Sequence, residues 1–488
     1  MLRDLHVAII GAGMSGILAA IKLREAGIAD VRIYEKADAL GGTWRDNTYP
    51  GLACDVPSHL YTYSFAPNPD WSQRYSPGVE IRAYLERTAQ DYGVDALIEY
   101  GAEVTHLAWE APSDRGWRIT LASGREERAD CVIAATGFLH HPNVPSLEGA
   151  ETFAGAMFHS ARWDHGVPLD GARVGIIGTG STAVQLVTAL SERVAALSLF
   201  QRTAQWVLPG KNKRYSQAER DGFRRDPSAL ATLRGQLEAN WVANLADALS
   251  DADSEAMAVI EQTCLEHLEN AVTDEDLRAR LRPSYRAGCK RLVVGEGFYE
   301  ALQRPNARLV TAGIDRLVPD GVVTADGELH GLDVVVLATG FRTRDYILPT
   351  LVRGSAGSLL SDVWAGSPHA YQTVSVPGFP NFFMLVGPHS PVGNFPVISI
   401  AELQMDYILQ LLERLRTESL VGLSATSAAT THFNEVLLEG ARKTIWATGC
   451  QGWTAQDELG RPAVWPLSID RFREAMQVPR FEDFEVLR

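Results

Sequence analysis

Val7-Ala8-Ile9-Ile10-Gly11-Ala12-Gly13-Met14-Ser15-Gly16 runs from four apolar residues into a Gly-x-Gly-x-x-Gly turn, and then into helical spacing that lasts to about Glu25. An unbroken apolar run suits a strand buried on both faces of a parallel sheet. The glycines allow the tight turn, let the backbone approach a pyrophosphate and bring the helix close to its strand. The helix N-terminus then offers unpaired N–H groups to phosphate. A second strand, Val31 to Tyr34, ends in Glu35, a carboxylate where ribose hydroxyls are held. Strand, turn, helix, strand and acid in this order predict a dinucleotide-binding unit that uses Gly11, Gly13, Ser15, Gly16 and Glu35.

The same order recurs once. Val174-Gly175-Ile176-Ile177 leads into Gly178-Thr179-Gly180-Ser181-Thr182-Ala183, a helix, and a strand from Leu197 to Phe200. This strand ends in Gln201-Arg202, and Arg202 stands at the offset from Gly178 that Glu35 has from Gly11. A carboxylate favours a free 2′-hydroxyl, whereas a guanidinium pairs with a 2′-phosphate. The second unit is therefore expected to take NADPH through Gly178, Thr179, Gly180, Ser181, Thr182, Arg202 and Thr203.

Two more apolar runs, Cys131 to Gly137 and Asp333 to Gly340, each close in Ala-Thr-Gly and read as returning strands of the two units. Residues 214–284 break the rhythm: Leu230, Leu233, Leu237, Trp241, Leu245 and Leu249 fall at three- and four-residue spacing, as on an amphipathic helix. Thr273-x-x-Asp276 has the pattern of a capping box. The expected class is α/β, with two Rossmann-like dinucleotide-binding domains and a helical insert. The first domain occupies 1–145 and resumes over 336–488 with substrate-side and C-terminal loops; the second occupies 146–335, with the insert at 214–284.

Composition narrows the function. A chain of 488 residues exceeds one ordinary core, and 46% apolar with 22% charged residues is typical of a packed globular protein. A net charge of −15 argues against a sequence-independent grip on nucleic acid, so phosphates must be met by a local positive pocket. No run approaches the roughly 18 apolar residues of a membrane span, and no signal-peptide layout follows Met1. A cytoplasmic enzyme without membrane insertion is expected. Cys54, Cys131, Cys264, Cys289 and Cys450 include no Cys-x-x-Cys pair and are expected to be reduced and structural. His140-His141 precedes Pro142 and reads as a loop. With neither a Gly-x-Ser-x-Gly elbow nor a His-Glu-x-x-His zinc helix, a hydrolase or a metal site is not expected.

The stretch Phe153-Ala154-Gly155-Ala156-Met157-Phe158-His159-Ser160-Ala161-Arg162-Trp163-Asp164 resembles the Phe-x-Gly-x-x-x-His-x-x-x-Trp-(Pro/Asp) fingerprint of type I Baeyer-Villiger monooxygenases, a class B flavoprotein monooxygenase family. Gly41-Gly42-Thr43-Trp44, Tyr49-Pro50-Gly51 and Asp55 are similar to that family's second signature, and the resemblance extends to about Trp465-Pro466. It implies FAD on the first unit, NADPH on the second, and insertion of one oxygen of O2 into a ketone through a C4a-peroxyflavin, giving an ester or lactone.

The resemblance also assigns roles. Lys290-Arg291, on its own a solvated basic pair, becomes a lysine that meets the 2′-phosphate and a catalytic arginine that reaches the flavin. Asp55, on its own a turn aspartate, becomes the carboxylate that orients Arg291. Gly42, Thr43, Trp44, Tyr61 and Val104 complete the FAD set, and Trp446 falls in a loop that contacts the nicotinamide nucleotide. Phe153, Gly155, His159, Trp163 and Asp164 take a hinge and interface role. The loop Gly387 to Phe395 lines the substrate side, and Asp55 to Tyr61 resembles enzymes of open-chain aliphatic and aryl ketones. Two alternatives share these cofactors: oxygenation of thioethers or amines, and a nucleotide-binding flavoprotein that oxidises NADPH without useful product.

Overall fold

Two five-stranded sheets, parallel throughout, carry the fold in a computed structural model that describes residues 3–110, 116–449, 452, 454 and 460–488. In the first, the order is Phe382–Met384, Cys131–Ala134, Val7–Ile10, Val31–Tyr34 and Ile98–Glu99. Val7–Ile10 and Cys131–Ala134 are buried at every position, which is why neither alternates in polarity. In the second sheet the order is Ala307–Val310, Ala196–Phe200, Arg173–Ile177, Val334–Leu337 and Ala156–His159.

Four strands follow the same order in both sheets; the fifth, beside the returning strand, comes last along the chain in the first sheet and first in the second. Each glycine-turn strand lies between its next strand and the strand that closes in Ala-Thr-Gly. The direction of strand addition reverses there, which opens a crevice at the carboxyl ends of the strands. Gly11 (φ 104°) and Gly178 (φ 123°) are left-handed, and a Cβ on them would lie 2.9 Å from the Ala135 carbonyl oxygen and 2.3 Å from that of Ala338. Each glycine turn is thus pressed against the end of its own returning strand.

A second duplication accompanies the first and was not legible in the sequence. An antiparallel meander precedes each Ala-Thr-Gly strand: Val104–Trp109, Trp117–Leu121 and Glu126–Ala129 in one case, Ile314–Val318, Gly321–Thr324 and Leu329–Gly331 in the other. Val334–Leu337 pairs with Val174–Ile177 over its whole length, so a boundary between 335 and 336 would cut a strand.

The stretch 214–284 is helical, as its spacing predicts, with Gln217–Arg225, Pro227–Trp241, Asp247–Ser250, Glu255–Ala271 and Glu275–Leu281. Val242–Ala246 between them is π-helical. The last helix is capped by Asp274, whose carboxylate accepts from Leu277 N at 2.7 Å. Thr273, the expected cap, instead donates its N–H and hydroxyl to Gln303 Oε1, at 3.1 and 3.3 Å. The aspartate is one residue nearer the first turn and reaches the free N–H that the threonine cannot.

Cys54, Cys131 and Cys264 are buried free thiols, but Cys289 is disulfide-bonded, against the expectation of five reduced cysteines. Disulfides follow proximity in space, which scattered sequence positions do not report. Cys450 lies outside the described residues. Among the described residues no helix is long and apolar enough to cross a membrane.

The glycine turns supply a test of this packing. Gly178→Ala adds a left-handed strain of about 1–3 kcal/mol to its clash, whereas a Cβ on Gly180 meets nothing within 4 Å. Thermal melting without nucleotide is expected to fall clearly for Gly178→Ala and to stay near wild type for Gly180→Ala.

Candidate active site

The two crevices open into one cavity of about 1000 Å³. Gly11, Gly13, Ser15, Glu35, Gly42, Thr43, Trp44, Asp55, Tyr61 and Val104 line it from one side. Gly178, Thr179, Gly180, Ser181, Thr182, Arg202 and Thr203 line it from the other, together with Lys290 and Arg291. Gly16 is not on its wall: a Cβ there would lie 1.9 Å from the Gly11 carbonyl oxygen, so this glycine serves the close approach of the helix to the turn.

Glu35 is buried and fixed beside the first turn. One carboxylate oxygen accepts from Ala12 N at 2.8 Å, and the other from Ala37 N at 2.9 Å and Arg45 Nη1 at 3.0 Å. The remaining lone pairs suit the hydroxyl donors of a ribose. At the second turn the chemistry inverts. Burial, and then the charge of Arg202, lower the pKa of Lys290, and neither cation has a carboxylate partner among the described residues. Two like charges on one cavity wall with no counter-ion match a phosphate.

Trp44 and Tyr61 meet edge to face with ring centroids 5.7 Å apart, and Trp44 Nε1 donates to the Tyr61 hydroxyl at 3.1 Å. Arg291 donates Nε to Asp55 Oδ2 at 3.1 Å and Nη2 to both carboxylate oxygens at 2.8 Å. The Asp55 charge raises the pKa of Arg291. Nη1 has no partner among the described residues.

Both members of this pair are held from behind by residues whose roles the sequence did not reveal. Gln205 Nε2 donates to the Arg291 carbonyl at 2.6 Å and is itself held by the Tyr285 hydroxyl at 2.9 Å. The Tyr49 hydroxyl donates to Gln185 Oε1 at 2.8 Å, and Gln185 Nε2 donates to the Ala53 carbonyl at 2.9 Å. Gln185 belongs to the helix Ser181–Leu190 of the second turn, so the segment that carries Asp55 is anchored on the opposite nucleotide unit. Tyr49 stood inside the quoted signature; nothing in the sequence singled out Gln185.

None of Phe153, Gly155, His159, Trp163 and Asp164 is among the residues lining the cavity. His159 Nδ1 accepts from Ala161 N at 3.1 Å, which places its proton on Nε2, 3.0 Å from the Gly340 carbonyl. Burial lowers its pKa, so the ring is a neutral strut to a cavity-wall glycine. Trp163 packs edge to face on Phe158, Phe153 lies against the core of the second sheet, and Asp164 accepts from Gly166 N at 2.8 Å. A Cβ on Gly155 would lie 2.3 Å from the Asp333 carbonyl oxygen.

Val392, Gly393 and Phe395 of the loop Gly387 to Phe395 reach the cavity, while His389 and Ser390 are buried away from it. Trp446 is buried and does not line the large cavity; it lines a smaller one behind Arg291. His140 and His141 do line the large one, their Nε2 atoms bonded to the carbonyls of Tyr346 at 2.6 Å and Leu348 at 2.9 Å. Burial pushes His140 down to about 4. Among the described residues no cluster of His, Cys, Asp and Glu could hold a metal.

This arrangement has counterparts. A family model described as flavin-binding monooxygenase-like matches residues 4–223. An uncharacterized monooxygenase of Mycobacterium tuberculosis is 47% identical over 482 residues, covering 99% of this chain and 96% of its own. A Baeyer-Villiger monooxygenase of Streptomyces coelicolor is 38% identical over 489 residues, covering 100% and 93%. The structure of cyclohexanone monooxygenase from Rhodococcus sp. Phi1 bound to NADP+ superposes with a TM-score of 0.88 at 28% identity over 99% of each chain. A complex of OTEMO with FAD and NADP superposes with a TM-score of 0.89 at 27% identity over 100% of each. The chain belongs to the flavin-binding monooxygenase-like family, and within it to the Baeyer-Villiger monooxygenases.

Asp55→Ala strips the guanidinium of its counter-charge and of three hydrogen bonds. A loss of about 1–3 kcal/mol in folding stability is expected from denaturant titration. Asp55→Asn, which keeps one acceptor oxygen, should recover part of it.

Proposed function

We propose that this chain binds FAD at its first glycine turn and NADPH at its second, and inserts one oxygen of O2 into a ketone to give an ester or lactone. As a member of its family it is an NADPH-dependent flavin monooxygenase. The observation that carries the finer reading is Arg291, clamped by Asp55 on the wall of the cavity that both glycine turns share, with Nη1 uncommitted among the described residues.

The residues fit the cofactors. The first turn joins a phosphate cradle to a ribose-facing carboxylate, and the second joins one to a pair of cations. When bound, the flavin supplies the electrons that activate O2. Arg291 keeps its proton, because Asp55 raises its pKa, and so holds a permanent charge where negative charge develops on the substrate oxygen. In a cavity closed to water such a fixed charge contributes several kcal/mol, roughly 3–4, to the transition state. Oxygenation of a thioether or amine calls for a protonated oxygen donor, which a cation that does not release its proton disfavours.

Within this reading His159, Trp163 and their neighbours join the two units instead of acting on substrate. The second unit runs from 146 through Leu337, the last residue of its pairing with Val174–Ile177.

The test is NADPH consumption by the FAD-loaded protein in air, with product mass spectrometry, against 2-alkanones, aryl ketones, a cyclic ketone and a thioether. The expected product is a ketone heavier by one oxygen that hydrolyses as an ester. Sulfoxide alone would move the chain to heteroatom oxygenation, and peroxide alone would make it an oxidase.

Arg291→Ala is expected to keep FAD reducible by NADPH while ester formation falls by about a hundredfold or more; retained turnover would remove its role. Arg202→Ala and Lys290→Ala should each weaken NADPH by roughly tenfold and NADH little, since solvent screens these partly exposed contacts. The phosphate needs Lys290 charged, and its pKa lies below that of an ordinary lysine. Affinity for NADPH should therefore be full below that pKa and decline as pH rises through it, with NADH unaffected.

A further inference from the structure

Lys290 and Arg291 are adjacent in the chain, and one side chain behind the cavity wall reaches both. Tyr285 is half-buried, packs against the apolar cluster that holds Trp206, Leu249 and Met257, and is not among the residues lining the large cavity. The Lys290 ammonium lies over its ring, 4.8 Å from the centre. The hydroxyl of the same ring donates to Gln205 Oε1 at 2.9 Å, and Gln205 Nε2 donates to the Arg291 carbonyl at 2.6 Å.

The segment that carries this ring is itself held. The Tyr285 carbonyl accepts from Trp206 Nε1 at 2.7 Å. Arg286 Nε and Ala287 N both donate to Glu261 Oε1, at 2.6 and 2.9 Å, and Glu261 belongs to the insert helix Glu255–Ala271. A Cβ on Gly288 would lie 2.4 Å from Leu249 Cδ2, so the turn between Tyr285 and Lys290 is pressed onto the insert.

An aromatic face does for Lys290 what a carboxylate could not. A carboxylate would neutralise the ammonium and compete with an arriving phosphate for its hydrogens. The ring attracts the cation through its quadrupole, carries no net charge and leaves N–H groups free to donate. It also restrains a four-carbon stem whose freedom nucleotide binding would otherwise have to freeze. For Arg291 the hydroxyl is the active part. With Oε1 of Gln205 taken by that donor, the amide can present only Nε2 to the Arg291 carbonyl, and the backbone from which the guanidinium extends is fixed.

We propose that Tyr285 is a positioning residue with two separable duties: its ring face aims Lys290 at the 2′-phosphate of NADPH, and its hydroxyl, through Gln205, fixes Arg291 for oxygen insertion. The proposal rests on the reading above, in which the second glycine turn takes NADPH and Arg291 acts on the ketone. It makes the choice of nucleotide and the placement of the catalytic cation properties of one side chain outside the cavity.

Two substitutions in the full-length, FAD-loaded protein separate the duties. Stopped-flow reduction of the flavin without oxygen, over a range of NADPH or NADH, gives an apparent Kd for each nucleotide and needs no ketone. Tyr285→Leu removes ring and hydroxyl together, and its Kd for NADPH should rise about two- to fivefold while that for NADH moves little. Tyr285→Phe keeps the ring face, so its preference for NADPH should match wild type. Its rate of ester formation from 2-octanone in a single turnover should nevertheless fall about fivefold or more. Gln205→Leu should reproduce that fall, and combining it with Tyr285→Phe should add little. Tyr285→Met gives the nucleotide reading should the leucine variant fold poorly.

Equal losses for both nucleotides in Tyr285→Leu, or NADPH binding that is unchanged or tighter, overturn the first duty. Unchanged ester formation in Tyr285→Phe overturns the second. A wild-type protein without preference for NADPH refutes the reading of the second turn, and the first duty with it. If the wild type yields no ester from any ketone, the ketone reading has failed, and the second duty is judged from a crystal structure of Tyr285→Phe: a guanidinium shifted from its place against Asp55 sustains it, and an unmoved one refutes it.

Discussion

Asp55 and Arg291 stand 236 positions apart in the chain, and their bidentate contact is the interaction on which the candidate site depends. It forms only because each partner is held from behind. Tyr49 and Gln185 tie the Asp55 segment to the helix of the second glycine turn, and Gln205 and Tyr285 hold the backbone of Arg291. One ion pair thereby reports whether both nucleotide units are in place. The pair does not need to contribute much to folding to matter, because its value lies in keeping one guanidinium edge free and aimed.

What the sequence discloses of this fold is what local chemistry dictates. A glycine turn between an apolar strand and a helix has few other uses, so Gly11 and Gly178 marked both sheets and their crevices. The exchange of Glu35 for Arg202 showed, in one position, which wall is anionic and which cationic. The helical spacing from Leu230 to Leu249 marked the insert, although not the π-helical widening within it, which packing imposes and periodicity does not register.

Other features depend on contacts between remote segments and left no local trace. The paired meanders are short strands whose half-buried alternation is easily lost among turns. Gln185 and Gln205 are ordinary polar residues until the fold brings each a partner. Cys289 gave no spacing signal for its disulfide. Trp446 was assigned by the resemblance of its loop, and the structure buries it in the cavity behind Arg291.

The four-strand order that both sheets share has a consequence for how such a chain changes. Both glycine turns are wedged against carbonyls of their own sheets, so the separation of the two cradles is a property of rigid scaffolding. The insert, the loop Gly387 to Phe395 and the segment around Trp446 contribute to the cavity walls from outside that scaffolding. Substitutions there can redraw the shape offered to a guest while the path of electrons between the two cradles stays the same length. The chain is in that sense divided into a fixed electrical part and a replaceable mould, and drift in one need not disturb the other.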